Sequence, residues 1–274
     1  MKYLIQKGVA GLGNRMQALG RCVDLQRRTG AALWIDWRDF SWREGFESCF
    51  RLDNAESLTC EDALGQAWGD TYPIFWTPEK VADFKRWDGP YAEDRATKEP
   101  KTWDRSEENA IDQGRDTLVV CRYSAPYSDE LFKRLHLSDA VLEAVRQERV
   151  VEDAIHIRHT DKKGEDPYKL IDGLSRPHRV CTDSVKAKAY AVEKGHVCTS
   201  VIANARGGWG VHHTDDADLA ADGLTRRAIN RGAVVDLVLC GLAKTFRTNC
   251  SNSSYAMLIN RGRSAGWFSR EAGQ

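Results

Sequence analysis

No charge of either sign is in excess in this sequence. Lys plus Arg and Asp plus Glu each total 40, for a formal net charge of zero. That balance excludes a global field able to draw the chain to nucleic acid or an anionic membrane, so any binding of anions has to be local. The N-terminus, MKYLIQKGVAG, lacks an apolar core of signal-peptide length, and no later run approaches the roughly 18 apolar residues of a membrane span. The expectation is a soluble, cytoplasmic protein with no integral membrane segment and no nucleic-acid partner. No CxxC pair occurs among the eight cysteines (22, 49, 60, 121, 181, 198, 240 and 250), and several lie in apolar runs such as LVLCGLA, which favours buried reduced thiols over disulfides. Internal repeats and low-complexity segments are also absent.

What is present reads as α/β. KYLIQ has the pattern of a strand, GVAGLGN of a turn, and Met16, Leu19 and Val23 lie at helical spacing ahead of a stop at Gly30. AALWIDW then returns as a strand, and this βαβ unit predicts a parallel sheet with helices on its faces. Trp is dense between residues 34 and 103, which suits a core or a stacking face for carbohydrate or bases. From about Trp76 to Gly114 the chain is polar with weak periodicity and reads as irregular surface structure. DTLVVCRY is a further strand, and Ser138 stands as N-cap before a helix in SDAVLEAVRQER.

The second half repeats the rhythm. VEDAIHIR and HRVCTDS read as strands, VKAKAYAVEKG as a helix closed by Gly195, and HVCTSVIA as another strand. AVVDLVLCGLA is a helix, KTFRTNC a strand, and SNSSYAMLINRG a turn into a helix. Two Rossmann-like domains fit, residues 1–149 and 150–274.

Candidate sites lie where strands run into loops. Gly11 and Gly13 let backbone N–H groups approach an anion at a helix N-terminus, with Asn14 as a donor and Arg15 as a cation. Met16 occupies the place of the third Gly of GxGxxG, so this is not the dinucleotide fingerprint, and a tight turn without a ligand explains the loop equally well. IHIRHTDKK, residues 155–163, packs six ionisable side chains into nine positions after a strand, at the sheet edge where α/β proteins bind ligands. Arg158 as a bidentate fork and Lys162 as a point charge suit a pyrophosphate; a solvated loop of ion pairs, Arg158 with Asp161 for example, is the alternative. Thr182, Asp183 and Ser184 follow one strand, and Ser251, Asn252, Ser253 and Ser254 another; each set suits phosphate or a simple N-cap. His212, His213, Asp215, Asp216 and Asp218 hold the composition of a metal site, but neighbours in sequence converge poorly on one ion and a mobile loop is the plainer reading.

Taken together, GLGNR, HIRHTDK, TDS and AVVDLVL with SNSS resemble the three-motif pattern of the GDP-fucose-dependent fucosyltransferase superfamily. The likeness covers most of the chain and is sharpest at residues 154–163 and 233–258, while TGAALWIDWRD resembles the nodulation-type enzymes in particular. The resemblance implies a GT-B fold, two facing Rossmann-like domains, with an acceptor-side first domain and the nucleotide sugar mainly on the second. It places His156 and Arg158 on the family's H-x-R-R-x-D, with Arg158 expected on the donor β-phosphate. It also implies Asp236 and His156 at the guanine edge, Ser251 to Ser253 on phosphate, and Asn14 in the glycine-loop motif. Asp166, ten residues after His156, matches a proposed catalytic carboxylate, with Glu165 beside it. His159 stands where most members have a second Arg, although nodulation-type members also have His there, and Asn252 interrupts the usual Ser-Ser.

The expectation is an inverting glycosyltransferase, with GDP-fucose as donor and a glycan or other hydroxyl as acceptor. Positioned cations and helix N-termini stabilise the leaving diphosphate, so no cofactor and no divalent metal are required. Another nucleotide sugar, or a non-catalytic nucleotide- or glycan-binding module, would use the same residues.

Overall fold

Four of the five residues of β1 (Tyr3–Lys7) are buried, a pattern that requires cover on both faces of its sheet. The computed structural model describes residues 1–39, 41–65, 68–73, 76–82, 104–122, 125–149, 151–159, 165–198 and 214–273. They divide into two compact units, Met1–His136 and Leu137–Gln274.

In the first unit the chain forms β1, β2 (Ala32–Asp36), β3 (Phe50–Leu52), β4 (Ala55–Ser57), β5 (Thr71–Tyr72) and β6 (Thr117–Val120). Five of these make a parallel sheet in the order β4-β2-β1-β6-β5. β3 pairs separately with β7 (Leu135–Leu137). The predicted βαβ unit is present: the helix Leu12–Thr29 buries Met16, Leu19, Cys22 and Val23, and Gly30, at φ 70°, closes it by donating its N–H to Gln26 O. A side chain with a Cβ is strained in that left-handed conformation, which is why glycine stops this helix. A second core cluster joins Ile5 and Val119 to Trp68, Trp76 and Val81. Trp37 meets Trp42, Phe46 and Phe50 edge-on at 4.9–5.8 Å. Trp37, Trp42, Trp68 and Trp76 are therefore core residues rather than an exposed stacking face; Trp87 and Trp103 lie outside the described residues.

The segment expected to be irregular surface needs correction. Helices span Pro78–Ala82 and Asp104–Asp112, and Trp76, Val81, Glu107 and Ala110 are buried. Glu107 accepts from Arg21 at 2.6 Å and from Arg122 at 3.0 Å. Two guanidinium groups compensate the carboxylate, so a residue that scores as solvent-facing sits inside.

The second unit has a three-stranded parallel sheet, with β8 (Asp153–Ile157), β9 (Arg179–Thr182) and β10 (Thr245–Thr248) in the order β10-β8-β9. One core cluster joins Ile155, Ile157 and Val180 to Ile171, Ala187 and Ala191 from the helices Pro167–Asp172 and Val185–Glu193. The helix Arg226–Leu242 buries Val234, Leu237 and Val238, and extends back from the apolar run to Thr225, which caps it by accepting from Ala228 N. The helix Asp139–Arg146 packs on it, with Ser138 in the N-cap position. The expected strand in HVCTSVIA reduces, among the described residues, to a single bridge from Val197 to Arg179. No described helix is long and apolar enough to cross a membrane.

Candidate functional site

The carboxyl edge of the second sheet gathers most of the residues singled out from sequence. β8 delivers His156 and then Arg158, and β10 runs through Asn249 to Ser253, the N-cap residue of the helix Ser254–Ser264. Arg158 Nη1 lies 3.4 Å from Ser253 Oγ. Ser253 is fully buried and Arg158 half-buried, while Ser251 is exposed. A helix N-terminus presents unsatisfied N–H groups and a positive partial charge. A guanidinium placed beside it adds its charge to that of the helix N-terminus, an arrangement that suits an anion.

His156 is 7% exposed, and its Nδ1 lies 3.3 Å from Thr248 Oγ1 across the β8–β10 register. Burial pushes its pKa down to about 4, with the Arg158 charge acting in the same direction and Asp183 opposing. The imidazole is therefore neutral at neutral pH and offers one donor and one acceptor. Its ring centroid lies 5.0 Å from that of Tyr255, whose hydroxyl donates to Ala233 O at 2.7 Å. Asp236 is buried at 3% exposure in the helix Arg226–Leu242, where its charge adds to burial in raising the Tyr255 pKa.

Asp183 and Asn249 hold the main chain that carries Arg158. Asp183 Oδ1 accepts from His159 N at 2.7 Å. The Asn249 side chain accepts from Arg158 N at 2.9 Å, donates to Arg158 O at 3.1 Å and reaches Glu165 O at 3.5 Å. Asn249 was not foreseen; the signal for it was an Asx residue between a strand and a helix in TNCSNSS. Glu165 and Asp166 are exposed. Asp166 is the N-cap of the helix Pro167–Asp172, and its Oδ1 accepts from Tyr168 N at 2.9 Å. That bond occupies one oxygen of the carboxylate expected to act as base. Lys162 and Asp161 lie outside the described residues.

Gly11, Gly13 and Asn14 belong to the first unit. Gly11 is the N-cap of the helix Leu12–Thr29, and Gly13 and Asn14 lie in its first turn, at the carboxyl end of β1. Gly13 O accepts from the Tyr127 hydroxyl at 3.1 Å. Arg15, read from sequence as a cation for an anion, is instead fully buried, and its guanidinium donates to Asp39 Oδ1 at 2.6 Å, Ser41 Oγ at 2.8 Å and Trp37 O at 3.2 Å. It also lies 5.7 and 5.5 Å from the Trp37 and Trp42 ring centroids. A Cβ on Gly8 would overlap this guanidinium and the Trp37 ring, which gives glycine there a packing reason.

Among the described residues no group of three His, Cys, Asp or Glu side chains is arranged to hold a metal ion. Asp215 caps the helix Asp216–Ala221 by accepting from Asp218 N at 2.7 Å, and Asp216 lies 3.5 Å from Arg226. His212 and His213 lie outside the described residues. Cys22, Cys49, Cys121, Cys181, Cys240 and Cys250 are buried free thiols, and Cys198 is a half-buried one.

The sequence matches no family model, and no curated protein matches it. The structure is similar to that of NodZ α-1,6-fucosyltransferase co-crystallised with GDP, with a TM-score of 0.57 and 15% identity over 94% of this chain and 91% of the other. It is similar to fucosyltransferase NodZ from Bradyrhizobium at a TM-score of 0.56 and 16% identity, over 94% and 92% of the two chains. With NodZ soaked with GDP-fucose the TM-score is 0.54, again at 16% identity, over 95% and 92%. The chain has the two-part Rossmann-like GT-B fold of these proteins.

Proposed function

We propose that this chain is an inverting glycosyltransferase of the GDP-fucose-dependent superfamily, with its nucleotide-sugar donor held at the carboxyl edge of the second sheet and a glycan or other hydroxyl compound as acceptor. The observation that carries the reading is Arg158 beside Ser253 at the N-terminus of the helix Ser254–Ser264. A diphosphate leaving an anomeric carbon gains negative charge in the transition state, and a preset guanidinium and a helix N-terminus stabilise that charge without reorganising. The acceptor oxygen forms the new bond to the anomeric carbon as the bond to the diphosphate breaks. The diphosphate leaves with the electron pair, and the acceptor proton passes to a carboxylate, for which Asp166 and Glu165 are the candidates.

The GDP-fucose assignment draws on the motif resemblance and on the fold shared with NodZ structures bearing GDP and GDP-fucose. In this reading Asp236 and neutral His156 face the guanine edge, Asp236 accepting N–H bonds that uracil and adenine do not offer as a pair. Calorimetry tests it: GDP should bind more tightly than UDP by about 1–3 kcal/mol per bidentate contact, with the preference reduced in Asp236→Asn. Equal affinities for the two nucleotides would remove the base assignment. A second reading, a nucleotide-binding module without turnover, draws on Asp166, whose carboxylate already caps a helix. Slow hydrolysis of the donor without acceptor separates the two, since a binder leaves it intact.

A further inference from the structure

We infer that Asn249 is the positioning residue that sets Arg158 against its anion, an inference that rests on the diphosphate site proposed above. The β8–β10 ladder runs to Thr248 opposite His156, and Asn249 N then donates to His156 O at 3.3 Å. Beyond that point the two backbones part, one toward Arg158 and the other toward Ser253. The Asn249 side chain continues the ladder across the gap. Its carbonyl oxygen accepts from Arg158 N, and its amide nitrogen donates to Arg158 O and Glu165 O. The two groups of the amide match the two groups of one residue, so its orientation is fixed by the bonds it makes. Asp183, on the opposite side of β8, holds the next N–H, that of His159. The main chain at Arg158 is thereby tied to the strand that leads into the helix Ser254–Ser264, and the spacing between guanidinium and helix N-terminus follows from that tie.

A residue acting in this way should matter most when the group it places is a directional fork. Lysine presents a flexible point charge and depends less on where the main chain holds it. The test is a double-mutant cycle on the full chain, titrating GDP and, separately, inorganic pyrophosphate into the wild type, Asn249→Ala, Arg158→Lys and the double variant. Asn249→Ala should weaken binding by about tenfold in the wild-type background and by less than about threefold beside Arg158→Lys, the coupling expected of groups in one hydrogen-bond network. Asn249→Ser, whose small side chain leaves room for water at the two backbone groups, takes the place of the alanine variant if that one does not fold. Unchanged affinity would assign Asn249 to stability alone, and an equal loss in both backgrounds would give it an effect on binding that does not pass through Arg158; either result overturns the inference while leaving the anion site standing. Failure of the wild type to bind either probe would overturn the site, and the inference with it.

Discussion

At the carboxyl edge of the first sheet, Lys7 and Asp36 end neighbouring parallel strands and pair at 2.7 Å with exposures of 0% and 1%. One turn into the next helix, Arg15 is closed off by Asp39, Ser41 and two indole rings. At the corresponding edge of the second sheet, Arg158 lies at a helix N-terminus beside a hydroxyl, with its own main chain gripped by Asn249. Both edges follow a βα turn and both concentrate charge. In the first, cation and anion cancel inside the protein and the charge serves packing; in the second, a half-buried guanidinium stands beside a helix N-terminus, and in the proposed reading the two together meet an anion. The number of charges in a loop does not separate these cases. The identity of each charge's partner does.

The largest effect should come from opening the first edge. Arg15→Ala leaves Asp39 buried without its cation, and unfolding by denaturant should show a loss of about 3–5 kcal/mol. Native protein that retains its structure should still bind GDP normally. Wild-type stability in that variant would mean that the first edge is not sealed by this pair.

The next contrast is in pH. His156 stays neutral in the folded chain down to about pH 4, while in the unfolded chain it has the ordinary histidine value of about 6.5. Between those values the unfolded state binds the proton first, so stability falls as pH drops from 6.5 to 4 and the contribution levels off below. Above 6.5 it has no effect. Asn keeps a group near the imidazole Nδ1 but does not titrate, so His156→Asn should lose on the order of 3 kcal/mol less than wild type across that window. Parallel stability curves for the two proteins from pH 6.5 to 4 would contradict the burial argument.

A smaller effect separates cap from base at Asp166. Asn caps a helix about as well as Asp, so Asp166→Asn should leave the melting temperature within a degree or two. As a base it should cost at least about tenfold in kcat with GDP affinity intact. Normal turnover in Asp166→Asn, in Glu165→Gln and in the double variant would move the base to another residue.

Much of the fold was legible because the information was local. Apolar spacing at Met16, Leu19 and Val23, a glycine stop and two β-rich runs were enough for the first βαβ unit. The His156-Arg158 strand end was legible for the same reason, since a charged loop after a parallel strand has few places to go. The helix Asp104–Asp112 was missed because its buried Glu107 is compensated by Arg21, 86 positions earlier in sequence, and by Arg122, 15 positions later. Arg15 was misread on similar grounds: its partners Asp39 and Ser41 follow the next strand. Asn249 escaped because its bonds to Arg158 span 91 positions. Side-chain clamps between distant turns leave no periodicity to read.

The account's central claim is that the second edge, and Arg158 in it, binds a nucleoside diphosphate through fixed protein charge. It is tested most directly by calorimetric titration of GDP into the wild type and Arg158→Ala side by side, in excess EDTA. Loss of one or more charge-assisted hydrogen bonds should weaken GDP binding by at least about tenfold, at an unchanged melting temperature, while the wild type binds without any divalent ion. Equal affinity in the two proteins, or wild-type binding that disappears on chelation and returns with Mg²⁺ or Mn²⁺, would contradict it.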